Sequence, residues 1–192
     1  SGTTQYSYNS LGLLVDTVDE SSQITTLSYD ILNRLISRVE VDGVFTWQYD
    51  TSPNGIGKLD QKEKVGEFKE QYSYDGLGRL VQTDTTIDNG NAFVTIQNYD
   101  AYSRVSQLVY PSKFIVDHVY DQNGYLTQID DALRGSMIWR NNTTNARGQI
   151  VQSSLGNGLS TDKSYVPQTG LLQTIKTGAG GNYDIQDLDF TF

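Results

Sequence analysis

The chain of 192 residues contains no cysteine, a single histidine, one methionine and only three prolines. Without cysteine there are no disulfides, no thiolate metal sites and no thiol nucleophile, and the redox compartment stays open. With one histidine, any Ser-His-Asp arrangement would have to use His118. Basic residues are also in deficit, with 14 Lys and Arg against 23 Asp and Glu and a formal net charge of -9. At a pI of about 4.4, a nucleic-acid backbone or an anionic membrane is a poor partner. No apolar run approaches the roughly 18 residues of a membrane-spanning helix, and Ser1-Gly2 does not open a signal peptide. That dipeptide reads as a remnant of cloning.

Helix formers are scarce as well, with five alanines and five glutamates among 18 aspartates, 19 threonines, 13 tyrosines and 18 glycines. Asp and Gly favour turns, whereas Thr and Tyr favour strands. The expectation is an all-β chain. No window shows a convincing helical period.

A repeat organises what is present. An aromatic-Asp step, or a degraded form of it, recurs at Tyr8, Tyr29, Tyr49, Tyr74, Tyr99, Tyr120, Thr144 and Tyr165, spaced 20 to 25 residues apart. Each is followed by a turn and then by Leu, Ile or Val. Asp75 with Gly78 and Asp121 with Gly124 form the Asp-x-x-Gly pattern of a type I turn, in which Asp accepts backbone N–H groups and Gly takes φ > 0. Asn9 with Gly12 and Asn145 with Gly148 substitute Asn, Asp30 is followed by Asn33, and Asp100 with Ser103 is the weakest copy.

Alternating residues precede each turn. Phe45, Trp47 and Tyr49 share one strand face, as do Thr25, Leu27 and Tyr29, Tyr72 and Tyr74, and Phe114, Val116, His118 and Tyr120. A second β-prone run follows, such as 35–41 or 80–86. Strand, turn, strand predicts a β-hairpin in each unit of about 21 residues, and an array stabilised by neighbour-to-neighbour contacts. One fully buried tyrosine ring would contribute at most roughly 4–6 kcal/mol.

The signature Tyr74-Asp75-Gly76-Leu77-Gly78-Arg79-Leu80, with Tyr29 to Leu35 as a close second, resembles the YD repeat of the Rhs family. Tyr49-Asp50 to Leu59 resembles that family's longer-turn variant, and Asn145-Ala146-Arg147-Gly148-Gln149-Ile150 its form lacking Tyr-Asp. Tyr165 to Leu171 resembles its Tyr-Asp-Pro-x-Thr-Gly form, with Val166 in place of Asp and with Gly170 retained. The resemblance covers almost the whole chain. The family includes bacterial Rhs polymorphic toxins, the shell components of insecticidal Tc complexes, and teneurins. It implies consecutive antiparallel hairpins in a curved, spiralling sheet, part of a hollow β shell that encloses a C-terminal effector. Residues 1–192 would be one array of about eight units with no second domain, and 187–192 read as a unit cut short. No Asp-Pro cleavage segment and no divergent C-terminal domain is found, so neither cleavage nor toxicity transfers to a residue here.

Other motifs read as coincidence. His118 takes the place of a face aromatic. Ser160-Thr161-Asp162-Lys163 and Lys176-Thr177-Gly178 match two β-lactamase-type patterns, but Ser-Asp-Asn is absent and the context is β rather than helical. Asp130-Asp131 is expected at a connection, and Asp184, Asp187 and Asp189 lack the spacing of a calcium loop. Gly55-x-Gly57 and Gly178-Ala179-Gly180-Gly181 are expected as loops rather than phosphate cradles. Asn141 and Asn142 begin glycosylation sequons that matter only in a eukaryotic source.

The leading reading is therefore a secreted or cell-surface bacterial scaffold with no catalytic, metal or cofactor site. Its partners are the rest of its array and an enclosed effector. The alternative is an extracellular carbohydrate-binding or adhesion module, for which a glycan would be the partner, while a β-propeller and an enzyme rank below both. An array cut free of its neighbours is expected to pair its edges or aromatic face with a second copy. Light scattering should then show association that grows with concentration, and a strict monomer throughout would count against it.

Overall fold

A computed structural model describes residues 2–192; Ser1, half of the dipeptide read above as a remnant of cloning, lies outside them. All seventeen elements among the described residues are strands. The chain divides into two compact units, Ser1–Gln97 and Asn98–Phe192, with the division falling inside a strand.

In the first unit the strands are β1 (Gln5–Tyr8), β2 (Leu14–Val18), β3 (Ile24–Tyr29), β4 (Leu35–Glu40), β5 (Gly43–Tyr49), β6 (Leu59–Lys64), β7 (Phe68–Tyr74) and β8 (Leu80–Ile87), followed by β9 (Phe93–Tyr99). Each pairs antiparallel with the next in sequence. The second unit continues with β10 (Val105–Val109), β11 (Ile115–Tyr120), β12 (Leu126–Asp131), β13 (Ser136–Thr144), β14 (Ile150–Leu155), β15 (Ser160–Tyr165), β16 (Leu172–Ala179) and β17 (Asn182–Asp189), again paired in sequence order. The expected succession of antiparallel hairpins holds. The strands expected over 35–41 and 80–86 are β4 and β8, whereas Phe114 lies one residue outside β11.

A register shift falls at the aromatic step of nearly every repeat, at Ser7/Tyr8, Ser28/Tyr29, Gln48/Tyr49, Ser73/Tyr74, Val119/Tyr120 and Ser164/Tyr165. The turn beside each shift carries a bulge of its own. A type I turn followed by one left-handed residue closes a hairpin only with an extra residue on one strand, a G1-type bulge. That left-handed position is Gly12, Gly78, Gly124 or Gly148, with Asn33 and Ser103 at φ 63 and 64 in their own repeats.

Neither unit has a deep core. Val116, at 5% exposure, is the one buried hydrophobic residue among those described, and no large side chain is completely enclosed. The apolar side chains instead lie half-covered on strand faces. In β3 the pattern alternates, with Thr25, Leu27 and Tyr29 covered and Ile24, Thr26 and Ser28 exposed. The repeat tyrosines thus bury less area than a core ring would, and the 4–6 kcal/mol ceiling is not reached.

Two local expectations change. Asp130 and Asp131 are the last residues of β12 rather than a loop, since each still pairs across to β13. Gly178 and Ala179 belong to β16, and only Gly180 and Gly181 make the turn. At Gly178 a Cβ would lie 1.5 Å from the Asn182 carbonyl oxygen, so glycine is required there by close backbone approach. A further turn at Asp19, with Ser22 at φ 62, joins β2 to β3 without any preceding aromatic.

Lys113 closes the β10–β11 turn at φ 67, where its N–H donates to the Tyr110 carbonyl at 2.9 Å. A Cβ in that left-handed region is strained. Lys113→Gly should raise stability by roughly 0.5–1 kcal/mol after the glycine's own entropy cost. Urea unfolding would measure this, and a destabilised variant would contradict it.

Candidate functional site

The repeated side chains form one construction, built first on the turn carboxylate. One side-chain oxygen of Asn9, Asp30, Asp75, Asp100, Asp121 and Asn145 accepts the N–H groups two and four residues on, at 2.8–3.1 Å. The short polar side chain thereby satisfies turn donors that no strand can reach. Asp19 does the same for Ser21 and Gln23, so the device also serves the opposite end of a hairpin.

The second carboxylate oxygen is available for a cation. Arg34, Arg79 and Arg104 each donate Nε to it at 2.7 Å, from Asp30, Asp75 and Asp100 in turn. The Arg79 guanidinium and the turn N–H groups hold the Asp75 carboxyl below the usual carboxylate range. Asp30 is lowered first by the Arg34 backbone N–H and then by its guanidinium. At Asp100 desolvation opposes ionisation, yet the Arg104 contacts outweigh it and the net shift is downward.

Two of these arginines also face the following repeat. The Arg34 guanidinium lies 4.3 Å from the centre of the Tyr49 ring, and Arg104 lies 4.3 Å from that of Tyr120. These are favourable cation–π distances. At these two joins the contact between repeats is therefore guanidinium on ring rather than ring on ring. The one described ring pair, Tyr110 with Phe114 at 6.1 Å, sits within a turn.

The tyrosine hydroxyl completes the tie. Tyr29 donates to the Leu14 carbonyl at 2.8 Å, Tyr49 to Leu35 at 3.1 Å, Tyr74 to Leu59 at 2.5 Å, Tyr120 to Val105 at 2.8 Å and Tyr165 to Ile150 at 2.9 Å. The acceptor is always the residue that opens the strand after the preceding turn. Tyr8 and Tyr99 occupy the equivalent strand-end positions of β1 and β9.

Degraded copies keep the geometry by other means. At the longer turn Asp50 accepts the Gly57 N–H at 2.6 Å and binds Arg34 of the preceding repeat through both oxygens, at 3.2 and 2.5 Å. Arg34 is thus shared between two turn carboxylates, and its side chain is the largest influence lowering the Asp50 carboxyl. At Val166, which has no carboxylate, Arg147 donates to the Pro167 and Gln168 carbonyls and Gln149 to that of Gly170.

The motifs read as coincidence stay apart from this construction. His118 pairs across the sheet with Ile129, and its Nδ1 is buried without a partner. Ser160 and Lys163 lie on β15, so no helix brings the lysine against the serine. The two β-lactamase-like patterns are strand neighbours, with Thr161 opposite Thr177 and their hydroxyls 3.0 Å apart. Asp130 accepts from Gln128 at 2.8 Å, while the buried Asp131 opens a turn by accepting from Leu133 and Arg134. Asp187 pairs with Lys176 at 2.9 Å, and Asp184 and Asp189 lie on the same strand. Among the described residues no three acidic or histidine side chains gather around a common point, and no helix is long and apolar enough to cross a membrane.

Comparison with known proteins agrees with the geometry. Residues 8–44 match the family model described as RHS Repeat. None of the curated proteins compared matches the chain in sequence. The crystal structure of TcdB2-TccC3 superposes on all of this chain with a TM-score of 0.78 at 20% identity, the chain spanning 11% of its length. A structure of the Photorhabdus luminescens Tc holotoxin pore with a TccC3 mutation gives a TM-score of 0.76 at 19% identity, over the same shares of each chain. The chain shares the fold of the segments it superposes on, and its residues 8–44 match an RHS repeat.

The lowered turn carboxyls carry a pH signature. A group whose folded pKa is depressed contributes stability above its unfolded value, and that contribution is lost as pH falls through the folded value. Asp30, Asp50, Asp75 and Asp100 all lie below the ordinary 3.8. The urea midpoint should therefore hold from neutral pH to about pH 5 and fall below about pH 4. Stability that increased on acidification would contradict this account.

Proposed function

We propose that this array of RHS repeats is a non-catalytic wall segment of a larger secreted bacterial shell, whose role is to enclose or present a C-terminal effector. The observation that carries this reading is the tyrosine hydroxyl bond to the preceding repeat's backbone, made five times with the same acceptor position. The polar groups that recur are taken up by turns and neighbouring repeats, which is what a wall requires and a reaction centre does not. Likeness over the full chain to TcdB2-TccC3 supports the same reading.

On this reading residues 1–192 form one continuous array, and the residues Tyr8, Tyr29, Asp30, Tyr49, Asp50, Tyr74, Asp75, Gly78, Tyr99, Asp100, Tyr120, Asp121, Gly124, Gly148, Tyr165 and Gly170 serve as scaffold. Partners are further repeats of the same protein and its cargo, with no cofactor and no nucleic acid. Strand β1 is exposed along its whole length, which suits it to pairing with further repeats or with a second copy.

The test is protection of the effector in the full-length protein. A protease should spare the C-terminal cargo when the array is intact and digest it when residues 1–192 are deleted. Equal digestion in both proteins, with the remaining repeats still folded by circular dichroism, would overturn the proposal.

A further inference from the structure

Asparagine precedes glycine four times, at Asn54, Asn89, Asn123 and Asn157, and each pair lies in a connection between strands. In this dipeptide the glycine nitrogen can attack the asparagine side-chain carbon, because glycine has no Cβ to obstruct the approach. In every pair the glycine N–H donates to a carbonyl three residues back, at 2.9–3.0 Å. That bond holds all four alike, so selection among them rests on the asparagine side chain and its surroundings.

Two of the side chains are tied down. The Asn54 amide nitrogen reaches the Tyr74 carbonyl at 3.5 Å, and Gly55 after it is buried. The Asn157 Oδ1 accepts the Leu159 N–H at 3.2 Å. Asn89 sits in the left-handed region at φ 55 and follows directly on Asp88, whose negative charge opposes ionisation of the neighbouring amide. Asn123 differs on each count. It is exposed, it lies outside the left-handed region, and among the described residues its side chain makes no hydrogen bond. Its turn carries Tyr125 where the Asp30, Asp75 and Asp100 turns carry a bracing arginine.

A cation stands beside the glycine of this pair. A Cβ built on Gly124 would lie 3.4 Å from Nη1 of Arg104, and Arg104, Asn123 and Gly124 line one cleft of about 320 Å³ with Tyr102 and Asp121. Positive charge there favours both the ionised nitrogen that attacks and the oxyanion that forms on the asparagine carbonyl. Asp121 is the opposing charge in the cleft, and one of its oxygens already accepts the Asn123 and Tyr125 N–H groups at 2.9 Å.

We propose that Asn123 is a self-modifying site, which deamidates with help from the Arg104 guanidinium. The Gly124 nitrogen gives its proton to water and bonds to the Asn123 Cγ, and the side-chain nitrogen takes a proton from water and leaves as ammonia. Water then opens the succinimide at either carbonyl, giving aspartate or isoaspartate. In the isoaspartate form the backbone runs through Cβ and Cγ and is longer by a methylene between residues 123 and 124. The Asp121 carboxylate then no longer clamps the N–H groups of residues 123 and 125 together, and the β11–β12 hairpin loses its turn device.

The test incubates the 192-residue chain at mildly alkaline pH and follows the four Asn-Gly peptides by mass spectrometry, with isoaspartate-specific enzymatic methylation as a second readout. In the folded chain Asn123 should convert first, at least about threefold ahead of the other three, whereas in urea the four should react alike. Arg104→Gln should slow Asn123 roughly two- to fivefold and leave Asn157 unchanged, and Arg104→Lys should restore part of the rate. Another asparagine leading in the folded chain, or a lead of Asn123 that persists in urea, would overturn the proposal. So would conversion of Asn123 in a folded Arg104→Gln chain at the parent rate or faster. If Arg104→Gln does not fold, added salt decides it in the parent chain, since screening should slow Asn123 more than Asn157 and an equal response counts against Arg104.

Discussion

The fold depends on one small device, a carboxylate that accepts two backbone N–H groups with one oxygen and an arginine with the other. The first pair of bonds makes the turn, and the turn brings the flanking strands together in fixed register. The arginine contact then points a guanidinium at the next repeat's ring. One side chain thereby links local conformation to the join between repeats. Asp30 and Asp50 show the limiting case, since both hold Arg34 and so couple consecutive turns directly. Such charge-assisted bonds are modest when exposed and stronger as part of a network.

A protein built this way needs little core. Val116 is the one hydrophobic side chain buried to a core-like degree among those described, yet the strands of each unit are hydrogen-bonded to their sequence neighbours. Stability in such arrays is a sum of repeats and their joins. The tyrosine contributes on both counts, with its ring half-covered under a guanidinium and its hydroxyl on a backbone acceptor. That division of labour explains why tyrosine rather than phenylalanine recurs.

Much of the fold was readable from sequence because its cause is local. Asp and Gly three apart, and aromatics two apart, report directly on φ, on strand faces and on hairpin length, and the turns at Asp75 and Asp121 form as expected. What escaped detection was non-local or lacked a marker. The stacking of Arg104 on Tyr120 joins residues in different repeats, so spacing within one repeat carries no trace of it. The Asp19 turn has no preceding aromatic to announce it. Gly178 reads as a loop residue, and only the approach of the Asn182 backbone reveals why a strand needs glycine there.

The bulge at nearly every aromatic step has a consequence for how such chains change over time. A strand pair normally transmits a one-residue insertion along its whole length, turning every side chain to the wrong face. Here the alignment is set anew at each tyrosine, so an added or lost residue in a far loop is absorbed before the next turn begins. Spacings of 20 to 25 residues, and strands ranging from the four residues of β1 to the nine of β13, coexist on that account. Length variation is confined to the repeat in which it arises.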